Sequence, residues 1–175
     1  MAIYVTSDAH GHVRALDEAL SKISLASDDT LYVLGDMIDR GPDPVGVIKL
    51  VRSLPNARVL KGNHEQIMLD TIIGQDPLDA ETWDINGGWT TREQLNGMEF
   101  EAYEELVRWM AALPLYAVVE TEERPYLLVH AGIEMKAARA FLLEHGVDCA
   151  DGVGAVDADR ELLQQMLAVQ SSDDL

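Results

Sequence analysis

Two hydrophobic periods alternate along the first 70 residues. Residues 2–6, 30–34 and 57–60 are short apolar runs, and each predicts a strand. Between them, residues 13–23 place Val13, Leu16, Leu20 and Ile23 at helical spacing, with Asp17 and Glu18 on the other side. Residues 44–54 repeat the pattern with Val45, Ile48, Val51 and Leu54. Pro44 suits the first helical turn, and Pro55-Asn56 breaks the helix. The β-α-β-α-β order predicts a parallel sheet with right-handed crossovers, whose ligands bind beyond the carboxyl ends of the strands.

Further along, residues 64–73 read as a helix stopped near Gly74. Residues 81–95 and 99–113 are mostly helical, interrupted by Asn86-Gly87-Gly88 and Asn96-Gly97. Together, residues from about 65 to 113 are expected to form a helical cap beside the sheet. Residues 115–120 and 125–129 predict a β-hairpin closed by Thr121-Glu122-Glu123-Arg124. Residues 135–175 form two helix-like stretches separated by Gly146 and by residues 152–154. No repeat or linker interrupts the chain, so one domain over residues 1–175 is expected.

Polar chemistry is concentrated where the apolar runs end. Asp8-Ala9-His10-Gly11, Gly35-Asp36-Met37-Ile38-Asp39-Arg40-Gly41 and Gly62-Asn63-His64-Glu65 follow the first three runs, and His130-Ala131-Gly132 follows a fourth at 126–129. Asp8 and His10 are two apart, so on an extended strand end they project to one side and can share a metal. The alternative for this pair is a helix-capping Asp and a surface His. Asp36 can reach the same metal and, having two oxygens, bridge to a second; Asn63 and His130 can supply an oxygen and an imidazole there. Two metals about 3.5–4 Å apart activate a hydroxide and clamp phosphoryl oxygens. Arg40 offers a planar fork to a phosphate, or else forms a surface ion pair. His64 is placed to protonate a leaving oxygen with Asp39 orienting it, or else it is a helix N-terminal His satisfied by Glu65.

Charge and composition narrow the partners. With 31 Asp and Glu against 13 Lys and Arg, the net charge of −18 excludes a general nucleic-acid or anionic-membrane binder. It leaves a phosphate substrate open, because bound cations invert the local field. The lone Cys149 builds no disulfide framework. No signal peptide is visible, and no run reaches the roughly 20 apolar residues of a membrane span. These features together predict a cytoplasmic protein.

In this order on strand ends, the four motifs resemble the calcineurin-like metallophosphoesterases. Within that superfamily the chain looks like the bacterial serine/threonine phosphoprotein phosphatases. The resemblance covers roughly residues 2–135 and takes in Trp83, Asn86-Gly87-Gly88 and Leu113-Pro114. It implies an α/β fold: a β-sandwich flanked by helices, with an incomplete second sheet. It also implies two divalent metal ions, manganese first, with Fe, Zn, Ni or Mg as alternatives, and direct attack of a metal-bridging hydroxide on a phosphomonoester. By this match Asp8 and His10 bind the first metal, Asp36 bridges, and Asn63 and His130 bind the second. Arg40 holds the phosphate, and His64 with Asp39 protonates the leaving group. The implied partner is a phosphoserine- or phosphothreonine-bearing protein or peptide.

The symmetrical diadenosine tetraphosphate hydrolases are built on the same fold. They usually carry Gln at the position of His10 and Asp at that of Glu65, so both positions favour the protein phosphatase, with the nucleotide hydrolase as the alternative. The chain departs from the family after His130. A second phosphate-binding Arg and a further metal-binding His are missing: Arg139 and Arg160 lie in charged helical contexts, and His145 reads as a surface or packing residue. Ser172-Asp173-Asp174-Leu175 resembles the start of the family's next segment, which implies a C-terminally shortened form. A truncated metal binder with little activity is therefore a further alternative, and the hairpin is expected to expose a sheet edge open to self-association.

Overall fold

The computed structural model describes residues 1–74, 77–122, 125–132, 135–144 and 146. His145, Cys149, Arg160, the second C-terminal helix-like stretch and the acidic C-terminal residues lie outside them. The chain divides into two compact units, Met1–Leu115 and Tyr116–Leu175.

The first unit is built on a parallel sheet of β1 (Ile3–Thr6), β2 (Thr30–Val33) and β3 (Ala57–Val59), in the order β1-β2-β3. Ile3 pairs with Thr30 and Thr6 with Val33 across one side of β2; Leu31 pairs with Ala57 and Val33 with Val59 across the other. The central strand is the most deeply covered, with Leu31, Tyr32 and Val33 all buried. Helix α1 (Val13–Ile23) spans the range its apolar spacing predicts. Helix α2 (Pro44–Ser53) starts where Asp43 accepts the Gly46 N–H at 2.9 Å, and it buries Val45, Val47, Ile48 and Val51. The short α3 (Asn63–Leu69) runs into a π-helical turn at Asp70–Gly74, so the expected single helix over residues 64–73 changes period partway.

The expected cap resolves into α4 (Pro77–Ile85), α5 (Trp89–Asn96) and α6 (Phe100–Ala111). The Gly87-Gly88 turn separates the first two, because Gly87 takes a φ of +89° and a Cβ on Gly88 would lie 2.2 Å from the Trp83 ring. Trp83, Leu95, Leu106 and Met110 from these helices join the core formed by the strands and α2. Gln94 on α5 accepts the Val45 N–H at 2.9 Å and donates to the Pro42 carbonyl at 3.1 Å, tying α5 to the start of α2.

In the second unit, β4 (Tyr116–Glu120) and β5 (Pro125–Val129) form the expected antiparallel hairpin, with Tyr116 opposite Val129 and Glu120 opposite Pro125. Helix α7 (Met135–Glu144) follows. Among the described residues no helix is long and apolar enough to cross a membrane.

Asp29 fastens the start of β1. Its two oxygens accept the Ala2 N–H at 2.6 Å and the Ala26 N–H at 3.0 Å. The Ala2 bond first, then the Ala26 bond, holds this carboxyl below the usual carboxylate range. Since the folded value lies below the unfolded one, this stabilisation is present above the ordinary carboxylate pKa and is lost as pH falls through the folded value. Asp29→Asn should therefore melt below the wild type at pH 7, with the gap in Tm closing as pH falls below the ordinary carboxylate range. A gap of constant size would rule out the ionised form as its source.

Candidate metal and phosphate site

The first two motifs leave their strands through backbone that is not extended, whereas the third leaves through an extended Gly62. Among the described residues, six non-glycine positions have a left-handed φ, and five of them are Asp8 (57°), His10 (39°), Asp36 (53°), Asp39 (69°) and Arg40 (65°). Such conformations cost about 1–3 kcal/mol each and persist only where surrounding contacts over-determine them. The expected extended geometry at Asp8 and His10 is thus replaced by a coiled loop, and their convergence has a different cause. Backbone bonds between loops supply it: Asp8 N–H donates to the Gly35 carbonyl at 3.2 Å, His10 N–H to Asp36 at 2.9 Å and Gly11 N–H to Met37 at 2.9 Å. Gly35 and Gly62 meet backbone to backbone, since a Cβ on Gly35 would lie 2.3 Å from the Gly62 nitrogen.

Glu65 supplies acceptors that the loops lack. Its side chain is fully buried. One oxygen accepts the N–H groups of Asp36 and Gly62, and the other that of Met37, all at 2.8 Å. Burial pushes its carboxyl up from the ordinary value, the three backbone donors oppose that, and the neighbouring Asp36 adds to it. Glu65 makes none of the bonds expected of a partner to His64.

The polar side chains then converge in a defined order. His10 Nδ1 donates to the Ile38 carbonyl at 2.8 Å, which leaves its Nε2 lone pair facing outward. That Nε2 lies 3.9 Å from an Asp8 oxygen and 3.7 Å from an Asp36 oxygen. The other Asp36 oxygen accepts the His64 backbone N–H at 3.0 Å. His64, completely buried, donates Nδ1–H to Asp39 at 2.7 Å, the first of its two expected arrangements. The two imidazoles meet edge to face with centroids 4.7 Å apart. Arg40 spans them, one guanidinium nitrogen donating to His10 Nε2 at 2.9 Å and the other to His64 Nε2 at 2.8 Å.

This donor set fits a divalent cation. A neutral imidazole nitrogen and two carboxylate oxygens lie too far apart to hydrogen-bond one another, yet near enough to share one ion. Ligand atoms of His10, Asp36 and His64 also lie within 4.8 Å of one another. Side-chain exposure falls from 56% at Asp8 to 5% at Asp36, so the site opens on the Asp8 side. Asn63 is exposed at the first turn of α3, and His130 follows β5 in the second unit. Two further residues bear on the site: Trp83, which the resemblance takes in without giving it a role, and Thr91, which has no sequence signal. Trp83 and Thr91 both hydrogen-bond the Asp39 carboxylate.

The calcineurin-like phosphoesterase profile matches residues 1–170. The symmetrical bis(5'-nucleosyl)-tetraphosphatase of Proteus mirabilis is 33% identical over 138 residues, 76% of this chain and 45% of that protein. The protein of the same name from Salmonella paratyphi C is 31% identical over 161 residues, 89% of this chain and 50% of that protein. The chain thus spans about half the length of the curated relatives it matches. A serine/threonine protein phosphatase structure from Saccharomyces cerevisiae superposes with a TM-score of 0.55 at 18% identity, covering 89% of this chain and 42% of that one, a likeness of fold alone.

These relatives overturn the expectation of a phosphoserine/phosphothreonine protein phosphatase. That choice rested on His10 and Glu65, and the geometry explains its failure. Glu65 is taken up by backbone N–H groups and His10 faces carboxylates, so neither position distinguishes one phosphate ester or anhydride from another.

Removing the Glu65 acceptor should be costly at each orphaned N–H. Glu65→Gln is expected to lose about 1–3 kcal/mol, the penalty for one unsatisfied buried donor. Glu65→Ala should lose more than Glu65→Gln in urea denaturation. Wild-type stability in Glu65→Gln would contradict the arrangement.

Proposed function

The chain belongs to the calcineurin-like phosphoesterase family, and on that premise we propose that it is a divalent-metal-dependent hydrolase of symmetrical dinucleoside tetraphosphates. The observation that carries the chemistry is the meeting of His10, Asp8 and Asp36 beside Arg40 and the His64–Asp39 pair. The choice of substrate is supported by the curated relatives of 31–33% identity.

Asp8, His10 and Asp36 would hold the first cation. Assigning Asn63 and His130 to a second, and manganese as the native metal, rests on the motif resemblance. Divalent cations bound there would polarise phosphoryl oxygens and lower the pKa of water. Arg40 directs two N–H groups into the space before both imidazoles, and a phosphoryl group there would offer oxygens in place of the ring nitrogens as acceptors. Asp39 takes Nδ1–H of His64, so a proton carried on Nε2 is the one available to the leaving oxygen, and the carboxylate stabilises the resulting imidazolium. Hydrolysis at the central anhydride adds one water and yields two nucleoside diphosphates.

Incubated with manganese, the protein should convert a symmetrical dinucleoside tetraphosphate to nucleoside diphosphate as the sole nucleotide product on anion-exchange chromatography. A mixture of mono- and triphosphate would contradict the cleavage position, and an unchanged substrate would contradict the function. For the acid role, His64→Ala should lower kcat on the order of 10²-fold while metal content stays at the wild-type level. Loss of metal together with activity would make His64 a ligand instead.

A further inference from the structure

Asp39 is held by more than the histidine it orients. Its residue sits at a left-handed φ of 69°, fully buried, with a backbone N–H that no strand or helix uses. Thr91, on α5 and also fully buried, serves both halves of this residue. Its hydroxyl oxygen accepts the Asp39 N–H at 2.9 Å, and its O–H donates to an Asp39 carboxylate oxygen at 2.5 Å. Trp83 on α4 adds its indole N–H at 3.1 Å to each oxygen. Among the described residues, the remaining hydrogen-bond partner of that carboxylate is His64 Nδ1 at 2.7 Å. A carboxylate turns easily about its own axis, and a bond from Trp83 that is equal to both oxygens does little to stop it. The Thr91 hydroxyl breaks this symmetry: it fixes one oxygen and thereby presents the other to His64.

We propose that Thr91 is a positioning residue for the hydrolysis, setting the rotation of the Asp39 carboxylate and, through it, the ring of His64. This assignment rests on the reading of His64 as the proton donor. It also gives the helical insertion a share in the chemistry: α5 reaches 52 residues along the chain to fix a side chain of the loop after β2.

Thr91→Val keeps the shape and removes the hydroxyl; Thr91→Ser restores it. The test measures kcat and KM on a symmetrical dinucleoside tetraphosphate, bound metal, Tm, and the downfield imidazole N–H proton resonance assigned to His64 by its loss in His64→Ala. Thr91→Val should lower kcat on the order of 10²-fold, the scale of a misaligned catalytic group, with KM and metal content unchanged and the resonance shifted or lost. Thr91→Ser should return kcat to within a few-fold of wild type and restore the resonance. Wild-type kcat and resonance in Thr91→Val would overturn the proposal. So would a loss that Thr91→Ser does not rescue, or one matched by unfolding at the assay temperature, since each marks a packing role. If the wild type leaves the substrate intact, the functional reading fails by itself, and the resonance in the two Thr91 variants still decides the positioning.

Discussion

The arrangement depends on one buried carboxyl accepting three backbone N–H groups. Glu65 gathers those of Asp36, Met37 and Gly62, donors from two loops that neither a strand nor a helix satisfies. Leaving such donors buried and unpaired would cost more than the loops could recover elsewhere. The carboxyl itself sits at a cost, since burial favours its neutral form and Asp36 lies close by. With both oxygens occupied by backbone donors, Glu65 anchors the loops rather than joining the donor set that faces outward. Asp36 is thereby left with one oxygen on the start of α3 and the other toward the imidazoles.

The same device recurs at Asp39, where Thr91 takes the stranded backbone N–H and Trp83 shares the charge. Cross-loop bonds from His10 and Gly11 to Asp36 and Met37 complete the set. The strain of five left-handed residues is therefore held in place by side chains and carbonyls drawn from elsewhere in the unit. What this produces is a cluster of two carboxylates, two imidazoles and a guanidinium whose acceptor atoms and N–H groups face one region. A strongly acidic chain can use such a site on an anionic substrate only through local positive charge, which Arg40 and a bound cation would supply.

Much of the first unit was legible in the sequence because its signals are local. The spacing of Val13, Leu16, Leu20 and Ile23 gives α1 its observed bounds, and the strands end within a residue or so of the apolar runs. The π-helical turn after Leu69 was not legible, as its residues continue the apolar spacing of the helix before it. Nor were the left-handed conformations at Asp8 and His10, which are imposed by partners in the loop after β2 some 27 positions away. The pairing of His64 with Asp39 was one of two readings the motifs allowed. Trp83 lies within the resemblance, but nothing in the sequence marks Trp83 or Thr91 as a partner of Asp39, since both lie in helices far along the chain. The protein phosphatase expectation failed for a related reason: residues placed to address a phosphate and its cations would do so whatever the phosphate is joined to.

Loops held in this way bring Asp8, His10 and Asp36 together as a candidate cation site. Calorimetric titration of the metal-stripped protein with manganese, beside Asp36→Asn, tests it most directly. Saturable binding to the wild type is expected, with at least a tenfold weaker first site in Asp36→Asn and an unchanged circular dichroism spectrum. Equal affinity in the two proteins would contradict it.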